Sequence, residues 1–461
     1  LHLSAAQRAN VLLGVLVTVA AYFLIWPAWR AQFPLEIWPT ESWSAYFQDA
    51  AGRLQPIYAP ADALVSNNYP PLSFYVIGGL SRLLGDALFV GRALSLVALL
   101  VTATQIARAG LALGADWRSA AMAAAWFVAL MAHHSLNYVG ANDPQLAGQA
   151  IMAAGLAWFL RRERDGASCL APLLVMVLAG FWKHNIVAIP LTATVWLVSR
   201  RAWAAADDLL VVIVAVSAGL GFCGYLFGPG FFANLLERRA YSAALILPHL
   251  GHLQWVALAL VIWLLWLRQA WPGIAARFTA LHVGISLLVC IVQWSGDGVA
   301  QNAEFDLMIA LAVALSQVLA TTSPLQLRGR RFSAAALRDV VIVLLVVRLV
   351  ATPRHEPALV LFSPAFRNAF AEAAVVVDAD TARVAALPGD VFCDNKTICR
   401  RAGKPFVADE FRLEQMIATG ELTQQGVDGL LARRGVVRFR SDPRTIAENV
   451  TRQARSRATG Q

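Results

Sequence analysis

Long apolar runs separated by short polar stretches dominate the chain. Apolar segments approaching the ~20 residues that cross a bilayer as a helix fall at 9–29, 86–108, 118–138, 143–160, 169–182, 185–199, 208–228, 253–268, 278–294, 304–320 and 336–351. They predict an all-α polytopic membrane protein with about 11 transmembrane helices. The runs are continuously apolar rather than alternating, which excludes a membrane β-barrel. The first run is too long for the apolar part of a cleavable signal and lacks a small-residue cleavage site, so it reads as the first span.

Two shorter stretches between the first and second spans do not fit as further spans. "TESWSAYFQDAAGRL", 40–54, repeats aromatic and small residues near helical spacing, and Thr40 or Ser42 can cap it. "VSNNYPPLSFYVIGGLSRLLGD", 65–86, places Pro70 and Pro71 at the start of a short apolar helix, where a missing N–H costs little. Counting the second stretch as a span would invert every later loop. One set of loops carries Arg8, Arg108, Arg118, Arg161, Arg162, Arg164, Arg200, Arg201, Arg268, Arg277, Arg328, Arg330, Arg331 and Arg338. Cytoplasmic loops concentrate such cations. The N-terminus is therefore expected in the cytoplasm and the tail outside. The two short helices are expected to lie along the outer membrane surface.

The tail differs in kind. Residues 1–351 read as the membrane domain and 352–461 as a small extracytoplasmic α/β domain. Short β-like runs occur in "AAVVVDADTARVAAL", "GDVFCDNKTICRRAGK" and "RRGVVRFR", around a helical stretch from Asp409 to Arg434. Cys393 and Cys399 are close in sequence and fall in an oxidising compartment, which favours a disulfide. Cys169, Cys223 and Cys290 lie in spans and read as inert core residues.

Composition agrees with a membrane protein. With 58% hydrophobic and 15% charged residues, a soluble domain would leave too much apolar surface in water. The net charge of +9 belongs to the loop arginines that set orientation, so no nucleic-acid partner is implied.

Polar side chains at the outer ends of spans are the informative set, because placing them there is costly. Glu41 opens the first short helix, as a capping acid or as a catalytic carboxylate. Asp143, in "NYVGANDPQLAG", stands near a helix start beside Asn142, with the same two readings. Lys183, in "GFWKHNIVAIP", must snorkel, pair with an anion or bind a phosphate; His184 and Asn185 lie at its level. Arg238 and Arg239 run against the positive-inside trend and suit a phosphate or a solvated surface. "WSGDGVAQNAEFD" adds Asp297 and Asn302 in a polar loop without a cation. Asn68 and Tyr69 precede the short proline-led helix. No P-loop, dinucleotide fingerprint or HExxH motif is present.

The succession "ESWSAYFQDAAGRLQPIY", "NNYPPLSFYVIGGLSRLLGD", "ALFVGRALSLVALL", "ANDPQLAG" and "AGFWKHNIVAIP" resembles the GT-C superfamily of integral-membrane glycosyltransferases. The similarity is to the bacterial branch related to lipid A aminoarabinose transferases and protein O-mannosyltransferases. It implies transfer of a sugar, with inversion, from a polyprenyl-phosphate carrier to a glycan, lipid or protein acceptor on the outer face of the bacterial cytoplasmic membrane. The family's first-loop acidic pair reads Thr40-Glu41 here, so the resemblance points to Glu41 as catalytic base, with Asp143 as partner or substitute. Lys183, Arg238 and Arg239 would neutralise the carrier phosphate. Asn68, Tyr69, Asn142, His184, Asn185, Asp297 and Asn302 would line the cavity. A divalent cation bridging carboxylate and phosphate fits this chemistry, although the sequence offers no dedicated site for one. A transporter or flippase would place its charges near mid-membrane and show internal repeats, and neither pattern is seen. A polysaccharide polymerase or ligase would carry its large outer loop late in the chain, whereas the large loop here comes first. A non-catalytic membrane scaffold is the third alternative, which incubation of the protein with a labelled polyprenyl-phosphate sugar separates from an enzyme.

Overall fold

The computed structural model describes residues 3–60, 62–321, 325–327 and 330–459; Arg328 lies outside the described residues. The first half folds as α1 (Ala5–Arg30), α2 (Pro39–Gly52), α3 (Leu72–Leu84), α4 (Ala87–Ala112), α5 (Trp117–His134), α6 (Gln145–Arg164), α7 (Leu170–Trp182) and α8 (Ala188–Phe227). Then come α9 (Pro229–Leu235), α10 (Ile246–Leu250), α11 (Ala257–Ala270), α12 (Ile274–Gln293) and α13 (Phe305–Leu319). A hairpin of β1 (Leu325–Leu327) and β2 (Arg330–Phe332) leads to α14 (Ala334–Val350). The C-terminal unit comprises α15 (Glu356–Phe362), α16 (Pro364–Ala386), β3 (Val391–Cys393), α17 (Lys396–Arg401), α18 (Glu410–Ala418), α19 (Gln424–Arg433), β4 (Val437–Phe439) and α20 (Ala447–Thr459).

Each apolar run read from the sequence falls on one of these helices. The runs at 185–199 and 208–228 share α8, which breaks only at Arg201 with φ −145° and ψ 42°. By length and composition alone, five described helices can cross a membrane, or up to seven if each bent pair counts as one span. One such pair is α15 with α16, bent by 96°. Helix α16 carries Glu372, Asp378, Asp380 and Arg383 and packs on α17 and α20, which makes it part of the C-terminal unit.

Helix α13 is the axis of the bundle. All fifteen of its residues are buried, as expected for a helix apolar on every side. Without a water-driven force between helices in lipid, this core rests on close packing. By contrast, only 6% of the apolar window in 205–227 of α8 is buried, so that face meets lipid. At one end of the bundle the starts of α1, α5 and α14 meet: Arg8 pairs with Asp339 at 2.8 Å, and Arg118 donates to Asn10 at 2.8 Å. These are cations of the set expected on one side. The C-terminal unit covers the opposite end.

The first long loop departs from expectation. Helix α3 exposes Leu83 and Leu84, as an interfacial helix should. Helix α2 is instead buried within the protein. Glu41, Trp43, Phe47 and Ala51 are among its buried residues, because α3 covers one side and α17 another. Helices α2 and α3 approach at Gly52 and Gly78, where an added Cβ on Gly78 would sit 2.2 Å from the Gln48 carbonyl oxygen.

The tail is α/β, with β3 and β4 paired in parallel, but the expected β-like run "AAVVVDADTARVAAL" is helical, within α16. Its buried residues Phe366, Phe370, Ala373, Val377, Asp380 and Val384 recur at three or four positions, and that helical period outweighs the β-propensity of three consecutive valines. The unit is no loose appendage. Phe366 and Phe370 pack with Trp26 of α1, and Ala447 donates its N–H to the Glu36 carbonyl at 2.9 Å.

Candidate active site

A cavity of about 480 Å³ opens where the helix bundle meets the C-terminal unit. One wall is the entry to α2, with Trp38, Thr40 and Trp43, continued by Asn68 and Tyr69. Asp143, just before α6, and His184 and Asn185, between α7 and α8, form the floor. Arg239, Tyr241 and Asn302 line another side. Lys396, Asp409, Phe411 and Glu414 complete the wall from the C-terminal unit.

The structure changes the expected part of Glu41. Its carboxylate is fully buried and does not line the cavity. Arg92 Nε and Nη2 bind its two oxygens at 2.8 Å each, and the N–H groups of Ile37 (2.9 Å) and Asn142 (2.7 Å) donate to the same carboxylate. Arg92 also donates to the carbonyls of Phe33 (2.6 Å) and Leu35 (2.7 Å). Four strong donors leave Glu41 no free lone pair directed at a substrate. The pair holds the loop 31–37 against α2 and α4. Arg92 lies inside an apolar run, and a lone arginine in a span calls for an anion; that signal was present in the sequence, and the structure identifies the partner as Glu41. Asn142 is buried too, in a reciprocal amide pair with Gln48 at 2.8 and 3.0 Å, rather than on the cavity wall. An added Cβ on Gly91 of α4 would lie 1.7 Å from Asn142 Oδ1. Gly91→Ala is therefore expected to force Asn142 aside at a cost of about 1–3 kcal/mol, read as a lower midpoint in thermal unfolding.

Asp143 faces the cavity, and one of its oxygens is free. Oδ1 accepts from Lys183 Nζ at 2.8 Å and from the Gln145 N–H at 2.7 Å. Among the described residues, no donor reaches Oδ2. Lys183 is 1% exposed and is not on the cavity surface. Its ammonium is committed to Asp143 and lies 4.5 Å from the centre of the Tyr69 ring, so it is not placed to touch a phosphate directly. His184 is pushed down to about 4 by burial and by the Lys183 and Arg239 cations, which leaves it neutral near pH 7. Asn302 accepts from the Tyr138 hydroxyl at 3.0 Å.

Of the adjacent arginines, only Arg239 reaches the cavity. Arg238 is exposed and does not line the cavity. Arg239 donates Nε to the Asp297 carbonyl at 2.6 Å and lies over Phe411 at 5.4 Å. Its two terminal nitrogens have no partner among the described residues. Asp297 is held outside the lining, where its carboxylate accepts from Gln415 Nε2 at 2.6 Å. The contributions of Lys396 and Phe411 could not be read from the sequence, where nothing ties residues near 400 to the first loop. Cys393 and Cys399 are disulfide-bonded, with an S–S distance of 2.09 Å. Among the described residues, no group of three or more His, Cys, Asp or Glu side chains is arranged to hold a metal ion.

Glu36 sits where the first loop meets the C-terminal unit. Its carboxyl accepts from Ser42 Oγ at 2.6 Å. Burial pushes it up to about 7, against the pull of Lys396 and that hydrogen bond. A carboxyl raised above its unfolded value stabilises fully at low pH and loses that contribution as pH rises through its folded value. Docking of Thr445 and Ala447 onto Glu36 is therefore expected to loosen between about pH 4.5 and 7. Hydrogen exchange at the Ala447 amide, corrected for intrinsic rates, reads this directly, and Glu36→Gln should flatten the dependence.

This helical membrane bundle, with a folded first loop and a C-terminal unit over one end, shares its fold with solved structures. The solved structures it matches are of ArnT from Cupriavidus metallidurans. With ArnT bound to undecaprenyl phosphate, the match has a TM-score of 0.57 at 15% identity and covers 91% of this chain and 90% of that one. With apo ArnT the TM-score is 0.57 at 15% identity, over 94% and 93%. No family model matches the sequence, and no curated protein sequence does.

Proposed function

We propose that the protein is a glycosyltransferase that moves a sugar from a polyprenyl-phosphate carrier to an envelope acceptor, with inversion, on the outer face of the bacterial cytoplasmic membrane. The observation that carries this reading is Asp143, whose Oδ2 faces a cavity that also presents Arg239, with both that oxygen and the terminal guanidinium nitrogens unpartnered among the described residues. The fold similarity supports it, since a neighbour of the same fold was solved with undecaprenyl phosphate. The reading keeps eleven spans, a cytoplasmic N-terminus, and a boundary between membrane and extracytoplasmic parts near 351.

The chemistry assigns each group a task. An acceptor hydroxyl attacks the anomeric carbon while the bond from that carbon to the phosphate oxygen breaks. Asp143 Oδ2 takes the hydroxyl proton, and Lys183 holds the carboxylate in place through Oδ1. The polyprenyl phosphate departs with the bonding electrons, and Arg239 neutralises the charge that develops on it. Asn68, Tyr69, Asn185 and Asn302 orient the sugar by hydrogen bonding. Glu41, with Arg92, fixes the wall on which these groups are mounted.

The test uses the full chain in lipid nanodiscs. Undecaprenyl phosphate should quench the fluorescence of Trp38 and Trp43, and undecaprenol should not. With a polyprenyl-phosphate-linked radiolabelled sugar and an envelope extract, label should pass into an acceptor as free undecaprenyl phosphate appears. Binding without any release of the phosphate carrier would make the protein a lipid-binding scaffold.

A further inference from the structure

Helix α17 joins parts of the chain that are far apart in sequence. Asn395 caps it through Oδ1 to the Thr397 N–H at 2.9 Å and is itself tied to Thr445 Oγ1 at 3.0 Å. Thr397 shares a hydrogen bond with Ser42 of α2, beside Glu41. Lys396 reaches the cavity and pairs with Asp409, the residue that opens α18, at 3.2 Å. Arg400 binds Asp49 of α2 through Nε at 2.8 Å and Nη2 at 3.1 Å, and Asp86 at the start of α4 through Nη1 at 2.9 Å. Lys396 and Arg400 both have side chains under 10% exposed. A helix this short would not by itself order two long side chains toward three acidic partners, because each must give up its rotamer freedom. The disulfide from Cys393 to Cys399 encloses Asn395, Lys396 and Thr397 and ends one residue before Arg400.

We propose that the disulfide-closed loop 393–399 is a redox-dependent latch on the substrate cavity, with Lys396 as its positioning residue. The closed ring holds Lys396 and Thr397 in register, and Arg400 directly beyond it, as a short covalent loop limits the conformations open to the chain. Through Thr397 and Arg400 it fixes α2, whose first turn is one cavity wall. Through Lys396 and Asp409 it fixes the start of α18, another part of the cavity surface. Reduction adds two electrons and two protons to the sulfurs, supplied by a dithiol that becomes its own disulfide. It leaves the membrane bundle intact and frees the two walls. That this cavity is the substrate site rests on the function proposed above; the latch itself is a claim about geometry and is tested separately.

The experiment is hydrogen exchange with mass spectrometry on the full chain in nanodiscs, before and after dithiothreitol. On reduction, amides of 396–401, 409–413 and 40–44 should exchange at least about tenfold faster, while those of α5 and α13 stay unchanged. Cys393→Ala with Cys399→Ala should match the reduced protein; should that variant fail to insert, reduction of the folded wild type decides alone. In the oxidised protein Lys396→Met should loosen 409–413, and Lys396→Arg should restore protection. The idea is overturned if 409–413 and 40–44 stay protected on reduction, or if Lys396→Met matches wild type. Quenching by undecaprenyl phosphate should also weaken several-fold on reduction. If the oxidised protein shows no quenching, the functional reading fails and the exchange result still stands or falls alone.

Discussion

Asp143→Asn is expected to lower sugar transfer by about 10²–10⁴-fold, the usual contribution of a positioned base, while undecaprenyl phosphate still binds. The substitution keeps an oxygen to accept from Gln145 and Lys183 but removes the basic atom from the cavity. It also leaves the buried Lys183 ammonium without a counter-charge, so some loss of stability should accompany it. Combining it with Lys183→Met removes that orphaned charge. The double variant should regain part of its thermal midpoint and none of its turnover. Recovery of turnover along with the midpoint would show that Asp143 served only to balance Lys183.

Glu41→Gln should act on the fold rather than on the chemistry. Removing one partner from a buried ion pair costs about 3–5 kcal/mol, and Arg92 is buried away from the solvent-accessible surface. The expected result is a large drop in the denaturation midpoint. Turnover per folded molecule should remain at least tenfold above that of Asp143→Asn. Adding Arg92→Met should recover little, because the carbonyls of Phe33 and Leu35 lose their donor as well. A Glu41→Gln variant of wild-type stability and no turnover would return the base role to Glu41.

Much of this architecture is legible in the chain, because lipid demands unbroken apolar runs and concentrates arginines on one side. The pairing of Cys393 with Cys399 also follows from spacing and compartment. The grouping of Asp143 with Lys183 is legible as a need for charge balance at that depth, although their separation by 40 positions hides the contact. What the chain does not reveal is which carboxylate is spent internally. Glu41 and Asp143 look alike as acids at helix starts. Only the side chain of Arg92, arriving from a different helix, separates them. The misreading of α16 has a simpler cause: Val375, Val376 and Val377 favour strands locally, and the packing of one helical face against α17 and α20 outweighs them.

The contact between Glu36 and the stretch Thr445–Ala447 bears on biogenesis. The cavity draws on residues from Trp38 to Glu414, and the loop that opens it is braced by a segment the ribosome makes some 400 residues later. A nascent chain still threading through the insertion machinery therefore lacks a finished chamber. Competence arrives only when the stretch from Lys396 to Ala447 has been translated and has docked on the first loop.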